Sequence, residues 1–105
     1  MKQENTQHIT KIIIKPYAVC FCPLGNDWYT NNYEIVFTPG KYYPDYCDIE
    51  VFLDKRIRGQ SLIIEDTLQL IYEWMQKEYA PERLIITAKV NNANSHSPVE
   101  VTIGD

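Results

Sequence analysis

Long apolar runs are missing from this sequence. Apolar runs such as residues 12–14 and 62–64 fall far short of the roughly 20 residues that a membrane helix needs. The opening residues, MKQENTQH, are polar and lack the apolar core of a signal peptide. We therefore expect a cytoplasmic protein that does not associate with membranes.

Cysteine is scarce, and neither sign of charge is in large excess. Three cysteines, in a chain without a secretory signal, make a disulfide framework improbable and predict at least one free thiol. Ten Lys and Arg against fourteen Asp and Glu give a net charge of −4, which argues against broad adhesion to nucleic-acid phosphates. The sequence also lacks a glycine-rich phosphate loop and a Ser-His-Asp arrangement.

What the sequence does contain is typical of a folded globular protein. Hydrophobic residues make up 45% and charged residues 23% of the 105 residues, which excludes disorder and fibrous repeats. The length fits one domain over residues 1–105, with no repeat or long linker. Any site that needs two domains must therefore be built from several copies.

The first half of the chain predicts a β-hairpin. Residues 10–19 and 29–38 alternate between apolar and polar side chains, as strands do, and residues 22–27 are rich in turn formers. Tyr33, Ile35 and Phe37 fall on one face of the second strand.

Two helices and a second hairpin are predicted to follow. Apolar residues recur at helical spacing, with Asp45 and Ser61 as candidate N-caps, Gly59 as a candidate C-terminal stop and Pro81 as the end of the second helix. The stripes are Tyr46, Ile49, Phe52, Leu53 and Ile57 in the first helix, and Ile64, Leu68, Ile71 and Met75 in the second. Residues 84–90 and 99–103 alternate again as strands, joined by the polar link 91–96.

The order is β-β-α-α-β-β, which predicts an α+β fold with an antiparallel sheet and two helices on one face. Such a sheet has two exposed edges, which invite pairing with another subunit. If the helices cover the other side, the face with Tyr33, Ile35 and Phe37 is too apolar to remain in water. We therefore expect a homo-oligomer in which several sheets close into a barrel.

This order and several short motifs resemble the tunnelling fold and, within it, the QueF family of nitrile reductases acting on 7-cyano-7-deazaguanine. The resemblance extends from about residue 17 to residue 90. The motifs are Cys22-Pro23, Asp27-Trp28, the segment 33–41 (YEIVFTPGK), Glu65-Asp66 and the segment 80–86 (APERLII).

The resemblance implies roles for three residues. In that family a cysteine attacks the nitrile carbon to give a thioimidate, an aspartate handles the proton, and a glutamate on the second helix anchors the purine ring. The matching residues are Cys22, Asp27 and Glu65. The resemblance also implies a ligand site between neighbouring subunits, where Glu65 of one chain meets Cys22 of the next. The substrate would be a small deazapurine or a modified tRNA base, as in the synthesis of queuosine or archaeosine.

Three departures from the reductases concern the site. The loop between Cys22 and Asp27 is two residues shorter, and the histidine before the ring-anchoring glutamate is Ile64 here. The reductases also have a Glu-Ser-Lys-Ser segment and a further lysine associated with the cofactor NADPH, where this chain has residues 43–49 (YPDYCDI). The shorter QueF-like amidinotransferases of archaeosine synthesis lack that segment as well, and resolve the thioimidate with an amine.

The residues allow other interpretations. Cys22 could be a buried apolar group, and Glu65 could simply complement the helix dipole. Cys20 and Cys22, with Cys47 and His96, resemble part of a metal site, but a single intervening residue strains chelation, so no metal is expected. The aromatic residues Trp28, Tyr29, Tyr42, Tyr43 and Tyr46 could stack on a heterocycle or serve packing. An enzyme and a non-catalytic protein that binds a purine or pterin therefore both remain as hypotheses.

Overall fold

The described part of the chain forms a four-stranded antiparallel sheet and two helices. The computed structural model describes residues 8–90 and 97–104, and for residues 15–19 only the backbone. The elements are β1 (Thr10–Cys22), β2 (Asp27–Thr38), α1 (Tyr46–Arg56), α2 (Ile64–Tyr79), β3 (Arg83–Val90) and β4 (Val99–Gly104). The strands lie in the order β1-β2-β3-β4. The predicted β-β-α-α-β-β order is confirmed, whereas the link 91–96, with His96, lies outside the described residues.

The first hairpin is longer than the sequence pattern predicted. β1 continues to Cys22 and β2 begins at Asp27, so these two residues end the strands and only residues 23–26 form the turn. The extension arises because β1 and β2 stay paired up to the turn, with Cys22 directly opposite Asp27. The strand pattern alone did not show this pairing.

Both helices pack on the face of the sheet that contains Tyr33, Ile35 and Phe37. These three side chains are buried, as are the helical residues whose spacing predicted a core: Ile49, Phe52, Leu53, Leu68, Ile71 and Met75. Tyr46, predicted for the same stripe, is exposed. The helices therefore cover the apolar face, and the expectation that this face needs other subunits to cover it is wrong.

The opposite face of the sheet is polar at its centre. The carboxylate of Glu34 on β2 lies 3.0 Å from the Nζ atom of Lys89 on β3 and 3.3 Å from that of Lys11 on β1. Hydrogen bonds from these two lysines, Lys89 first, hold the pKa of Glu34 below its usual range. Nearby, the hydroxyl groups of Thr87 and Thr102 lie 3.0 Å apart. Such a surface is compatible with water, so it can remain exposed while α1 and α2 cover the other face.

Asp45 is the N-cap of α1, as predicted. Its Oδ1 atom accepts a hydrogen bond of 2.9 Å from the backbone N–H of Cys47. After α1 ends, Gly59 has a φ of +78°, a left-handed conformation that glycine adopts without steric cost. The predicted helix stop therefore lies in the turn that follows α1.

Ser61 is not the N-cap of α2, and that prediction is wrong. The helix begins at Ile64, and the capping position is Ile63, whose side chain makes no capping hydrogen bond. The backbone around Ser61 instead pairs with β1, since the N–H of Phe21 donates to Gln60 O and the N–H of Leu62 donates to Phe21 O, each at 2.9 Å. This pairing keeps residues 60–62 extended, so the helix starts later.

The pairing with residues 60–62 also covers the edge of β1 near Phe21. In the described part of the chain, the N-terminal half of β1 and the whole of β4 remain at the edges of the sheet. Two exposed isoleucines, Ile9 and Ile13, lie at or next to the first of these edges.

No helix of the described residues is long and apolar enough to cross a membrane.

Candidate functional site

The hairpin turn places Cys22 and Asp27 side by side. They are register partners at the last position of the β1–β2 pair, and directly opposed residues of an antiparallel pair point to the same face. The turn is closed by a hydrogen bond of 2.7 Å from the N–H of Asn26 to Cys22 O. Asn26 has a φ of +55°, which asparagine tolerates better than most residues. The thiol and the carboxyl group are therefore held on a rigid element of the sheet.

The sulfur of Cys22 accepts a hydrogen bond from the turn that follows it. The backbone N–H of Gly25 donates to Cys22 Sγ over 3.3 Å. This hydrogen bond holds the sulfur next to the turn, and cysteine acts as a nucleophile in its thiolate form. The side chain is half-buried, so it remains open to a ligand.

Asp27 is half-buried as well. Its Oδ1 atom accepts a hydrogen bond of 2.8 Å from the backbone N–H of Trp28. This bond fixes the carboxyl group beside Cys22. A carboxyl group at this position can exchange a proton with a ligand atom next to the sulfur.

The linker between the helices places Glu65 near the hairpin. Residues 60–62 pair with β1, and the hydroxyl of Tyr29 on β2 donates to Leu62 O. Burial raises the pKa of Tyr29, so its hydroxyl remains a neutral donor. α2 begins two residues after Leu62, and Glu65 is an exposed side chain of its first turn.

These elements enclose a cavity of about 410 Å³, within the range of small-molecule sites. Cys22, Asp27 and Glu65 all line it, although they come from two strands and a helix. The other lining residues are aromatic, apolar or small: Leu24, Gly25, Trp28, Tyr29, Ile63, Ile64, Val90 and Val99. One chain thus places the three predicted residues on the same cavity.

Several walls of the cavity were not predicted from the sequence. Val90 and Val99 are register partners at the end of the β3–β4 pair, and Ile63 and Leu24 lie in connecting segments. In the sequence, the only indication that Val90 and Val99 could lie close together was their position on either side of the polar link 91–96. Of the five aromatic candidates, Trp28 and Tyr29 line the cavity, whereas Tyr42, Tyr43 and Tyr46 are exposed elsewhere.

The other two cysteines differ from Cys22. Cys20 is fully buried, its thiol donates to Ile57 O at 3.1 Å, and burial raises its pKa. Cys47 is exposed in the first turn of α1. Within residues 8–90 and 97–104, no three His, Cys, Asp or Glu side chains are grouped to hold a metal ion. Cys22 is therefore the thiol that the cavity presents to a ligand.

The charged side chains that line the described cavity are acidic. Asp27 and Glu65 are the charged side chains among its described lining residues, and none of these residues is Lys or Arg. The phosphate groups of NADPH bind to cationic or N–H partners. Residues 43–49, which replace the lysine segment of the reductases, form the approach to α1 and its first turn and contribute no described lining residue.

Comparison with known proteins identifies the fold. No protein-family model and no curated protein sequence matches the chain. The structure is similar to a crystal structure described as the archaeosine synthase QueF-Like in the apo form, with a TM-score of 0.76 and 15% sequence identity over 97% of this chain and 95% of that chain. The chain therefore has the α+β tunnelling fold of that QueF-like protein, as its sequence predicted.

Proposed function

We propose that this protein acts on the nitrile group of a 7-cyano-7-deazaguanine ring through Cys22. The observation that supports the proposal is the presence of Cys22, Asp27 and Glu65 in one cavity of about 410 Å³. Those are the three positions that the resemblance to the QueF family assigned to the nucleophile, the proton donor and the ring anchor. The cavity and the resemblance are independent, since the first comes from the fold and the second from short motifs.

The first step is an addition to the nitrile. The thiolate of Cys22 forms an S–C bond with the nitrile carbon, and one π bond of the C≡N group becomes a lone pair on nitrogen. The proton that leaves the thiol ends on this nitrogen, and Asp27, beside Cys22, passes it from sulfur to nitrogen. The product is a neutral thioimidate, and the thiol and nitrile are consumed without loss of any atom. The N–H of Gly25 donates a hydrogen bond to the attacking sulfur over 3.3 Å.

Glu65 recognises the ring. A carboxylate can accept two hydrogen bonds from the amide N–H and the amino group on one edge of a guanine-like ring, and such charge-assisted pairs are strong and directional. Glu65 comes from α2 and Cys22 from the hairpin, so the two groups can hold opposite parts of one ligand. Trp28 and Tyr29 provide aromatic surface in the same cavity.

We infer that an amine, rather than a hydride donor, attacks the thioimidate carbon. Attack by ammonia or another amine on the thioimidate carbon forms a C–N bond, breaks the S–C bond, returns the thiol and leaves an amidine, with no change of oxidation state. Two observations favour this course over reduction: the described lining residues of the cavity include no Lys or Arg that could hold the phosphates of NADPH, and the similar structure is described as an archaeosine synthase. The reductase remains the second candidate, supported by the motifs around Cys22, Asp27 and Glu65.

We also propose that the protein assembles into a ring through the edges of its sheet. The N-terminal half of β1 and the six-residue strand β4 are edges of the described sheet, and unpaired strand edges favour pairing with another chain. Ile13, exposed on β1, would be covered by such a contact. Cys22, Asp27 and Glu65 line the cavity of a single chain, and a neighbouring chain would add to its walls.

Intact mass spectrometry tests the chemistry. After incubation with 7-cyano-7-deazaguanine, we expect the mass of the protein to rise by that of the whole ligand. The adduct should be absent in Cys22→Ala and present in Cys20→Ala and Cys47→Ala, the matched controls. An adduct that survives in Cys22→Ala would refute the assignment of the nucleophile. Binding of the ligand by the wild type without an adduct would instead support a non-catalytic protein that binds purines or pterins.

A further inference from the structure

A chain of buried hydrogen bonds joins β2 to the first turn of α2. The amide Nδ2 of Asn31 donates to the hydroxyl of Tyr33 at 2.7 Å, and that hydroxyl donates to Thr67 Oγ1 at 2.8 Å. The hydroxyl of Thr67 donates in turn to the backbone carbonyl of Ile64 at 2.7 Å. The bond between Tyr33 and Thr67 is thus a side-chain link between the sheet and the start of the helix. We call Asn31, Tyr33 and Thr67 the α2 tether.

The α2 tether is shielded from water. Each of its three side chains is fully buried, with 0% of its surface exposed. Burial raises the pKa of Tyr33 to about 12, so its hydroxyl remains protonated and donates to Thr67 at all physiological pH values. A hydrogen bond in such surroundings is difficult to break, because a lost partner leaves a buried polar group unsatisfied.

The α2 tether ends at the candidate site. Ile64, whose carbonyl accepts the last hydrogen bond, lines the cavity, and Glu65 is the next residue. The same turn has no capping side chain, since Ile63 occupies the N-cap position. A helix start without a cap is prone to fray. The link from Tyr33 therefore compensates for the missing cap by attaching the turn to the sheet.

We propose that Tyr33 and Thr67 are positioning residues that hold Glu65 at a fixed place relative to Cys22. The positions of Glu65 and Cys22 then both depend on one sheet, because Cys22 ends β1 and Tyr33 lies on its partner strand β2. This inference rests on the proposed function, because it gives the α2 tether a role in holding the ligand ring. Ligand binding requires that the ring anchor and the nucleophile remain in register.

The test compares three threonine variants. Thr67→Val keeps the shape of the side chain and removes the hydroxyl, whereas Thr67→Ser keeps the hydroxyl. The control, Thr87→Val, breaks the contact between the hydroxyl oxygens of Thr87 and Thr102, which lie 3.0 Å apart on the opposite face of the sheet. Adduct formation is followed by mass as a function of 7-cyano-7-deazaguanine concentration. For Thr67→Val we expect the half-saturating concentration to rise about tenfold, the effect of one lost hydrogen bond, and the limiting rate to stay within about twofold.

The rescue variant Thr67→Ser and the control variant Thr87→Val distinguish a positioning role of Thr67 from a general loss of stability. Thr67→Ser and Thr87→Val should both keep the half-saturating concentration of the wild type to within about twofold. The inference is refuted if Thr67→Val also stays within that range, or if Thr67→Ser loses as much affinity as Thr67→Val. Should Thr67→Val not fold, Tyr33→Phe removes the same link and leaves the bond from Thr67 to Ile64 in place.

A second measurement does not depend on the ligand. Amide hydrogen exchange at Asp66 and Thr67, whose N–H groups both donate to Ile63 O, should be faster in Thr67→Val than in wild type and unchanged in Thr87→Val. If the wild type forms no adduct, the proposed function fails while this measurement still decides whether the α2 tether holds the turn. Unchanged exchange in Thr67→Val would refute the α2 tether itself.

Discussion

Replacement of Glu65 by glutamine is the sharpest test of how the cavity recognises a ring. Glu65→Gln keeps the length of the side chain but removes its charge and turns one acceptor into a donor. An amide N–H would then face the N–H groups of a guanine-like edge. Because a hydrogen bond to a charged group contributes about 1.5–3 kcal/mol, we expect affinity to fall roughly 10- to 150-fold.

Asp66→Asn is the matched control. Asp66 is the next residue of the same helical turn and is also exposed and acidic, but it is not among the residues that line the cavity. Each substitution removes one negative charge from the positive end of α2, at a cost of about 0.3–1 kcal/mol in the free energy of unfolding. The two variants should therefore have similar stability and differ in affinity.

The assay is calorimetric titration with 7-cyano-7-deazaguanine in a Cys22→Ala background, which prevents covalent reaction and isolates ring recognition. Thermal unfolding of each variant measures the common effect on α2. If Glu65→Gln binds within about threefold of Asp66→Asn, well below the expected effect of a charged hydrogen bond, Glu65 does not anchor the ring. The carboxylate of Glu65 would then contribute only to the stability of α2.

Three further predictions concern the cofactor, the assembly and the buried tyrosine. Because Asp27 and Glu65 line the cavity, we expect little NADPH binding and little turnover at the nicotinamide absorbance; robust NADPH-dependent reduction would favour the reductase instead. Light scattering at micromolar concentration should give the mass of a ring of several subunits, and a mass near 12.3 kDa would exclude the ring. Burial raises the pKa of Tyr33 to about 12, against about 10 in an unfolded chain, so the unfolded state loses this proton first. The free energy of unfolding should therefore fall as pH rises from about 10 to about 12; urea titrations should show a smaller fall for Tyr33→Phe, and an equal fall would contradict the reasoning.

Local patterns in the sequence determined the elements and the faces that they bury. Alternation on β2 and helical spacing on α2 report directly which side chains share a face, and residues such as Ile35 and Ile71 are buried accordingly. Asp45 was identifiable as a cap because an N-cap bonds to a backbone N–H within the next turn. Short motifs near element boundaries were enough to select Cys22, Asp27 and Glu65 as candidate site residues, and all three line one cavity.

Contacts between distant segments were decided only by the tertiary structure. Ser61 has the chemistry of a cap, yet its backbone pairs with Phe21, 40 residues earlier, and no local pattern encodes that choice. The link from Tyr33 to Thr67 and the position of Cys22 and Glu65 on one cavity likewise depend on how the helices lie on the sheet. Spacing along the chain specifies which groups are on one face of an element, whereas register and packing between elements specify which groups meet.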